Sequence, residues 1–179
     1  MNRATIAGKT LIPLMLALSV SSCGLTQKVS EGTVSVTKSI FYKQIRTLHL
    51  DFRAREGANR NAQGAALSTV VRIWQLKDSS AFDASDYPSL FTADSQVLKA
   101  DLLAQMDIRI RPGESVSIDM PMDDKAEVVA VAGLFLSPDT QDDQWRLLLT
   151  RDDLDPDKAR VIELGDGTLT LVAEKAKRP

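Results

Sequence analysis

Nucleophilic, acid–base or metal chemistry in this chain would have to be built from one cysteine, one histidine and scattered carboxylates. A metal centre made of several His or Cys ligands cannot arise within one copy. The acidic run Asp152-Asp153-Leu154-Asp155-Pro156-Asp157-Lys158 is the nearest thing to a cation loop, because Asp153, Asp155 and Asp157 alternate. It fails as a calcium loop. Its sixth position is Lys158, where the turn needs Gly, and its twelfth is Leu164, where a bidentate Glu is needed. It reads instead as a solvated turn with Asp caps. His49 falls on the polar side of an alternating stretch, with no Ser or Cys nucleophile set in an elbow nearby. Asp123-Asp124 and Asp142-Asp143 are paired carboxylates of the kind any acidic domain carries, and there is no phosphate-binding or dinucleotide fingerprint. The reading is therefore no catalytic residue, no metal, no cofactor and no enzyme.

Cys23 is the side chain with a distinct chemical prospect. Arg3 and Lys9 give a short basic start, and Leu11 to Val20 (LIPLMLALSV) follow as an apolar run of ten. A spanning helix needs about 20 apolar residues, so this run cannot cross a bilayer; it has the form of a secretory signal. Val20-Ser21-Ser22-Cys23 then places an aliphatic residue and two small ones before the cysteine. This resembles the lipobox of bacterial lipoproteins, which implies diacylglycerol on the Cys23 sulfur and cleavage that leaves Cys23 as an acylated N-terminus. In lipoproteins of enterobacterial type an Asp at the next position favours inner-membrane retention, so Gly24 points by analogy to the outer membrane. The alternative is an ordinary cleaved signal with an incidental cysteine.

The remaining chain is long enough for one domain. Its 44% hydrophobic content supports a core, and removing residues 1–22 leaves 20 basic against 24 acidic side chains. A weakly acidic domain without a basic stripe is a poor nucleic-acid binder. Residues 1–22 are read as the cleaved signal, 23–44 as the lipidated Cys with its tether, and 45–179 as the folded domain. Leu48, Leu50 and Phe52 alternate with polar residues as in a half-buried strand. Val70 to Leu76 is β-branched and aromatic, a second strand. Asp83 and Asp86 offer caps, and Leu90, Phe91, Val97, Leu98, Leu102 and Leu103 recur at helical spacing, which predicts a helical insertion over about 79–104. Ile108 and Ile110, the turn Arg111-Pro112-Gly113-Glu114, and Val116, Ile118 and Met120 predict a hairpin. Val128 to Leu136 is apolar on both faces, as in a central strand. Trp145–Leu149 follows, and Asp166-Gly167 joins Val161–Leu164 to Leu169–Val172 in another hairpin. Trp74 and Trp145 are read as core anchors of two sheets. Seven or so short strands with one helical insertion make a mainly β, two-sheet sandwich.

One loop is longer than plain scaffolding needs. About thirteen residues, Arg55 to Leu67, separate the first two strands, and loops of that length are usually functional or disordered. Arg55, Asn59, Arg60, Asn61 and Gln63 offer donors and acceptors to a partner; the bland alternative is a mobile tip.

These pieces in this order are recognisable. Val71-Arg72-Ile73-Trp74-Gln75-Leu76-Lys77 followed by Phe82-Asp83 and Asp86-Tyr87 resembles the type VI secretion outer-membrane lipoprotein, the TssJ family. Arg111-Pro112-Gly113-Glu114 before Val116 and Ile118, and Trp145-Arg146 with the run to Val161-Glu163-Leu164, are similar to later parts of that family. The resemblance spans about Leu48 to Val172 and the lipobox. It implies a transthyretin-like sandwich, lipid-anchored at Cys23 to the outer membrane and facing the periplasm. It also implies a partner, the periplasmic C-terminal region of the IcmF-like inner-membrane component, met by the loop between the first two strands, here Arg55–Leu67. Two other readings stay open: a pilotin-like lipoprotein escorting another secretion component, and a periplasmic ligand-binding lipoprotein, which would need an apolar pocket with a few converging polar groups.

Overall fold

A computed structural model describes residues 44–92 and 96–173. The signal, Cys23 and the tether lie outside the described residues. Eight strands follow one another in two four-stranded sheets: β1 Thr47–Ala54, β2 Thr69–Leu76, β3 Leu102–Ile110, β4 Ser115–Pro121, β5 Val128–Leu134, β6 Arg146–Thr150, β7 Arg160–Leu164 and β8 Leu169–Leu171. One sheet has the order β4-β1-β7-β8 and the other β3-β2-β5-β6. All neighbours are antiparallel except β1 and β7, which run parallel. Two short helices, α1 Ser80–Asp83 and α2 Tyr87–Phe91, lie between β2 and β3.

The first sheet obeys the period of two. Leu48, Leu50 and Phe52 of β1 are fully buried, facing the other sheet with Met120, Ile162, Leu164 and Leu169. The alternate residues form a polar outer face, where cross-strand partners satisfy each other: His49 meets Asp119, and Ser117 donates to Asp51 at 2.6 Å.

In the second sheet the central strands β2 and β5 are covered on both faces, which is why Val128–Leu134 reads as apolar throughout. Val129 and Val131 point into the sandwich, whereas Ala130 and Ala132 lie under the insertion. The row Asp107–Arg72–Ala132–Arg146 crosses the outer face, and Gln105–Trp74–Ala130–Leu148 runs beside it. The small alanines leave room for the helices to sit on the strands. Phe82 of α1 meets the Trp74 ring edge-on at 5.8 Å, and Tyr87 of α2 meets Trp145 at 5.0 Å. Both tryptophans are buried core anchors, and both serve the second sheet and its helical cover. The polar tips are satisfied: Trp74 Nε1 donates to Gln105 (3.0 Å) and the Tyr87 hydroxyl to the Phe135 carbonyl (2.6 Å). Burial pushes the Tyr87 phenol above its usual range, and the Asp86 cap, bonded by Ser89, sits below the usual carboxylate range.

Two expectations change. The insertion ends earlier than residue 104, because β3 begins at Leu102; Leu102 and Leu103 mimic helical spacing but belong to a strand paired with β2 through a register shift at Gln75/Leu76. The stretch from Ile108 to Met120 is not a hairpin. Gly113 at φ 72 and the bond from Glu114 N–H to Arg111 O (3.1 Å) form the expected type II turn. That turn is an arch between sheets, with β3 pairing to β2 and β4 pairing to β1. At the opposite end Gln75, fully buried, ties the sheets together: its amide donates to the Pro121 carbonyl and accepts from Asp123 N–H, both at 2.8 Å.

The hairpin between β7 and β8 forms as expected. Gly167, at φ 84, lies so close to the β5–β6 connection that a Cβ would come 2.3 Å from the Ser137 carbonyl oxygen. Gly167→Ala is therefore expected to cost about 2–3 kcal/mol through backbone strain and this clash, read as a fall in the denaturation midpoint at unchanged m-value.

Candidate partner-binding end

Strands β1, β7, β3 and β5 finish at one end of the sandwich, where β2, β4, β6 and β8 begin. Four connections gather there: 55–68, 111–114, 135–145 and 165–168. The first is the long loop singled out in the sequence, and it is knitted to the other three. Arg55 continues β1, donating its N–H to Leu164 O (2.9 Å) and accepting from Gly113 N–H (3.3 Å). Its guanidinium donates to Glu163 at 2.6 Å. Arg60 N–H donates to the Asp166 carboxylate at 2.8 Å, docking the loop on the β7–β8 turn. Asp139 N–H in turn donates to Gly167 O at 3.0 Å.

Asn59 makes the remaining link. Its backbone is left-handed (φ 52), a conformation Asn tolerates better than most residues, and it is buried. Its amide donates to Ser68 O (3.2 Å), its side-chain oxygen accepts from Leu136 N–H (2.7 Å), and its carbonyl accepts from Leu67 N–H (3.1 Å). Within the loop, the Asn61 side-chain oxygen accepts from Gln63 N–H (3.1 Å) and Ala65 N–H (2.9 Å), an Asx-type turn that shapes the tip. Arg60 folds over Gly57, where a Cβ would come 2.2 Å from the guanidinium.

The five residues singled out in sequence therefore have different positions. Arg55, Arg60 and Gln63 are exposed and Asn61 is half-buried at the tip. Asn59 is turned inward: its side chain bonds the backbone of Ser68 and Leu136, which holds the loop's shape. The loop is also more ordered in its bonding than a mobile tip, and a pre-shaped loop loses less entropy on binding.

Sequence reasoning missed an apolar component of this end. Leu67, Leu134 and Leu136 are exposed by 39%, 41% and 59%, half of the six exposed large hydrophobic residues among the described ones. Phe135 N–H donates to Gly133 O (3.1 Å), a three-residue turn that lays the Phe135 ring over Gly133 and leaves Leu134 at its apex. In the sequence Leu134 and Leu136 merge into the apolar run of β5, and no local signal separates them. Elsewhere, a groove of about 560 Å³ lies on the outer face of the second sheet between Leu90, Phe91 and Gln105; its Arg72 is engaged bidentately by Asp107 at 2.7 and 2.8 Å.

A sequence model of the type VI secretion lipoproteins (VasD, EvfM, TssJ) matches residues 46–167. A chain in the solved structure described as "T6SS protein TssM C-terminal domain (869-1107) from EAEC" is 49% identical, the match covering 73% of this chain and 100% of that one at a TM-score of 0.67. A chain of a "Type VI membrane complex" is 52% identical over 73% of this chain and 100% of its own, at a TM-score of 0.70. The fold is also that of the lipoprotein TssJ1 from Pseudomonas aeruginosa, at 24% identity, with 74% of this chain and 99% of that chain covered and a TM-score of 0.62. No curated protein sequence matches the chain. With the family match spanning β1 to the β7–β8 turn, this chain belongs to the type VI secretion lipoprotein family.

Proposed function

We propose that this chain is the lipid-anchored subunit that ties the type VI membrane complex to the outer membrane, and that its loop end binds the periplasmic C-terminal region of the IcmF-like inner-membrane component, TssM. In this reading the protein acts by binding and positioning, not by catalysis. The observation that carries it is the loop end itself, where Arg55, Asn59 and Arg60 bond the long loop to the other three connections. The chain enters β1 at Thr47 and reaches the loop end after Ala54, a strand of roughly 25 Å at about 3.3 Å per residue. The knitted loop presents Arg55, Arg60 and Gln63 outward, a pre-shaped surface for a partner. The structure described with the TssM C-terminal domain includes a chain 49% identical to this one, which supports the same partner here.

Titrating the mature lipoprotein in detergent with the periplasmic C-terminal fragment of the IcmF-like protein from the same organism tests this by calorimetry. Saturable binding is expected, weakened at least tenfold by Arg60→Glu with Gln63→Glu. These two side chains point outward, so changing them spares the Asn59 links that deletion of the loop would break. No heat from the folded wild type at high micromolar concentrations would overturn the assignment.

A further inference from the structure

We infer that Leu67, Leu134 and Leu136 form the apolar anchor of the loop end, the patch that the periplasmic partner covers with its own apolar side chains. This rests on the proposed function and specifies its contact surface. Exposed leucines scattered singly mean little, but several at one place mark an interaction surface. Leu67 and Leu136 are brought together by one residue, since the backbone N–H of each donates to Asn59, to its carbonyl and its side-chain oxygen respectively. Leu134 sits two residues before Leu136 and pairs across the strands with Val70, three residues after Leu67. The backbone is held so that these side chains face water: the Gly133–Phe135 turn places Leu134 at its apex, and Asn59 fixes Leu136 just after it.

The occupant is argued from continuity and from the surroundings. The patch borders the same loop that carries Arg60, Asn61 and Gln63, so an apolar centre lies beside a polar, hydrogen-bonding margin. That is the anatomy of a protein–protein interface. A partner that engages the loop tip alone would leave the three leucines in water.

The test uses the mature lipoprotein in detergent and the partner's periplasmic C-terminal fragment. Leu67→Ser with Leu136→Ser is expected to raise the Kd at least tenfold while leaving the thermal midpoint within a few degrees. Leu102→Ser, at a residue 37% exposed where β3 begins, at the other end of the sandwich, is expected to change neither. A photo-crosslinking residue at position 136 should join to the partner fragment, and one at position 102 should not. Wild-type affinity in the double variant with no crosslink from position 136 would overturn the inference while the proposed function stands. A crosslink from position 136 to a second copy of this chain would overturn it in favour of self-association. Failure of the wild type to bind would remove both.

Discussion

A Cys23→Ser chain is expected to fold as the wild type does, to leave the membrane fraction and to abolish type VI secretion. Cys23 is the only cysteine in the chain, and it stands where the lipobox requires one. Serine offers no thiol for a thioether to diacylglycerol, so acyl chains carried at this position would be lost with it. Each buried CH₂ contributes about 0.8 kcal/mol, and one chain alone binds a membrane only marginally, so losing the lipid removes the whole anchor and not a fraction of it. The fold should be untouched, because every described strand begins at Thr47 or later. The measurement is membrane fractionation with denaturation of the soluble form, alongside a secretion assay. Serine-substituted protein that still sediments with outer membrane would refute lipidation at this cysteine, and intact secretion from soluble protein would refute the need for an anchor.

The second large effect is expected at Arg146→Ala. This side chain, 15% exposed, fastens the helical insertion to the second sheet. It donates to the carbonyls of Phe82 (2.7 Å), Ser85 (2.9 Å) and Asp83 (3.3 Å), and pairs with Asp143 at 3.0 Å. It also lies 5.4 Å from the Phe82 ring centroid and 5.0 Å from that of Trp145. Helix α1 has only four residues and cannot hold itself together, so the carbonyls at its end depend on this guanidinium. Hydrogen bonds from a charged donor are worth about 1.5–3 kcal/mol each, less where water can replace them, and the ring contacts add about 0.5–1. We expect a loss of about 3–4 kcal/mol, a fall of roughly 10 °C in Tm, and faster amide exchange at Phe82–Ala84. Exchange unchanged in that segment would show that the Phe82 and Tyr87 packing holds the insertion without the arginine. Arg146→Lys is expected to recover little, since an ammonium cannot reach three carbonyls in one plane or stack on both rings.

Much of this architecture is legible locally. Alternation in Leu48–Phe52 marks a strand and the face it buries, because side-chain period is set by the pleat. Asp166-Gly167 marks a hairpin because its turn needs φ above zero, and Gly167 supplies it. Arg111-Pro112-Gly113-Glu114 likewise marks a turn, and the turn is there. The same residues cannot say whether the strands they join lie side by side, because pairing is decided by long-range register and by which faces must be covered. Hence the chain crosses between sheets at a place where local reasoning sees a hairpin.

The candidate partner-binding end divides in the same way. Loop length and polar composition, read from sequence, mark Arg55–Leu67 as a place of interest, and the motif order from Val71 to Leu164 identifies the family. Tertiary structure decides which of its side chains face out. Asn59 is polar in sequence and buried in the fold because two distant backbone groups, Ser68 O and Leu136 N–H, need its amide. Leu134 and Leu136 are apolar in sequence and exposed in the fold because a three-residue turn at Gly133–Phe135 closes β5 with Leu134 at its apex. The sequence by itself points to an export signal and a single lipidation candidate, and it determined the strand faces, since each depends on residue type and short spacing. Sheet membership, the insertion clamped by Arg146 and the apolar side of the loop end were decided only by the tertiary structure, because each depends on contacts between residues tens of positions apart.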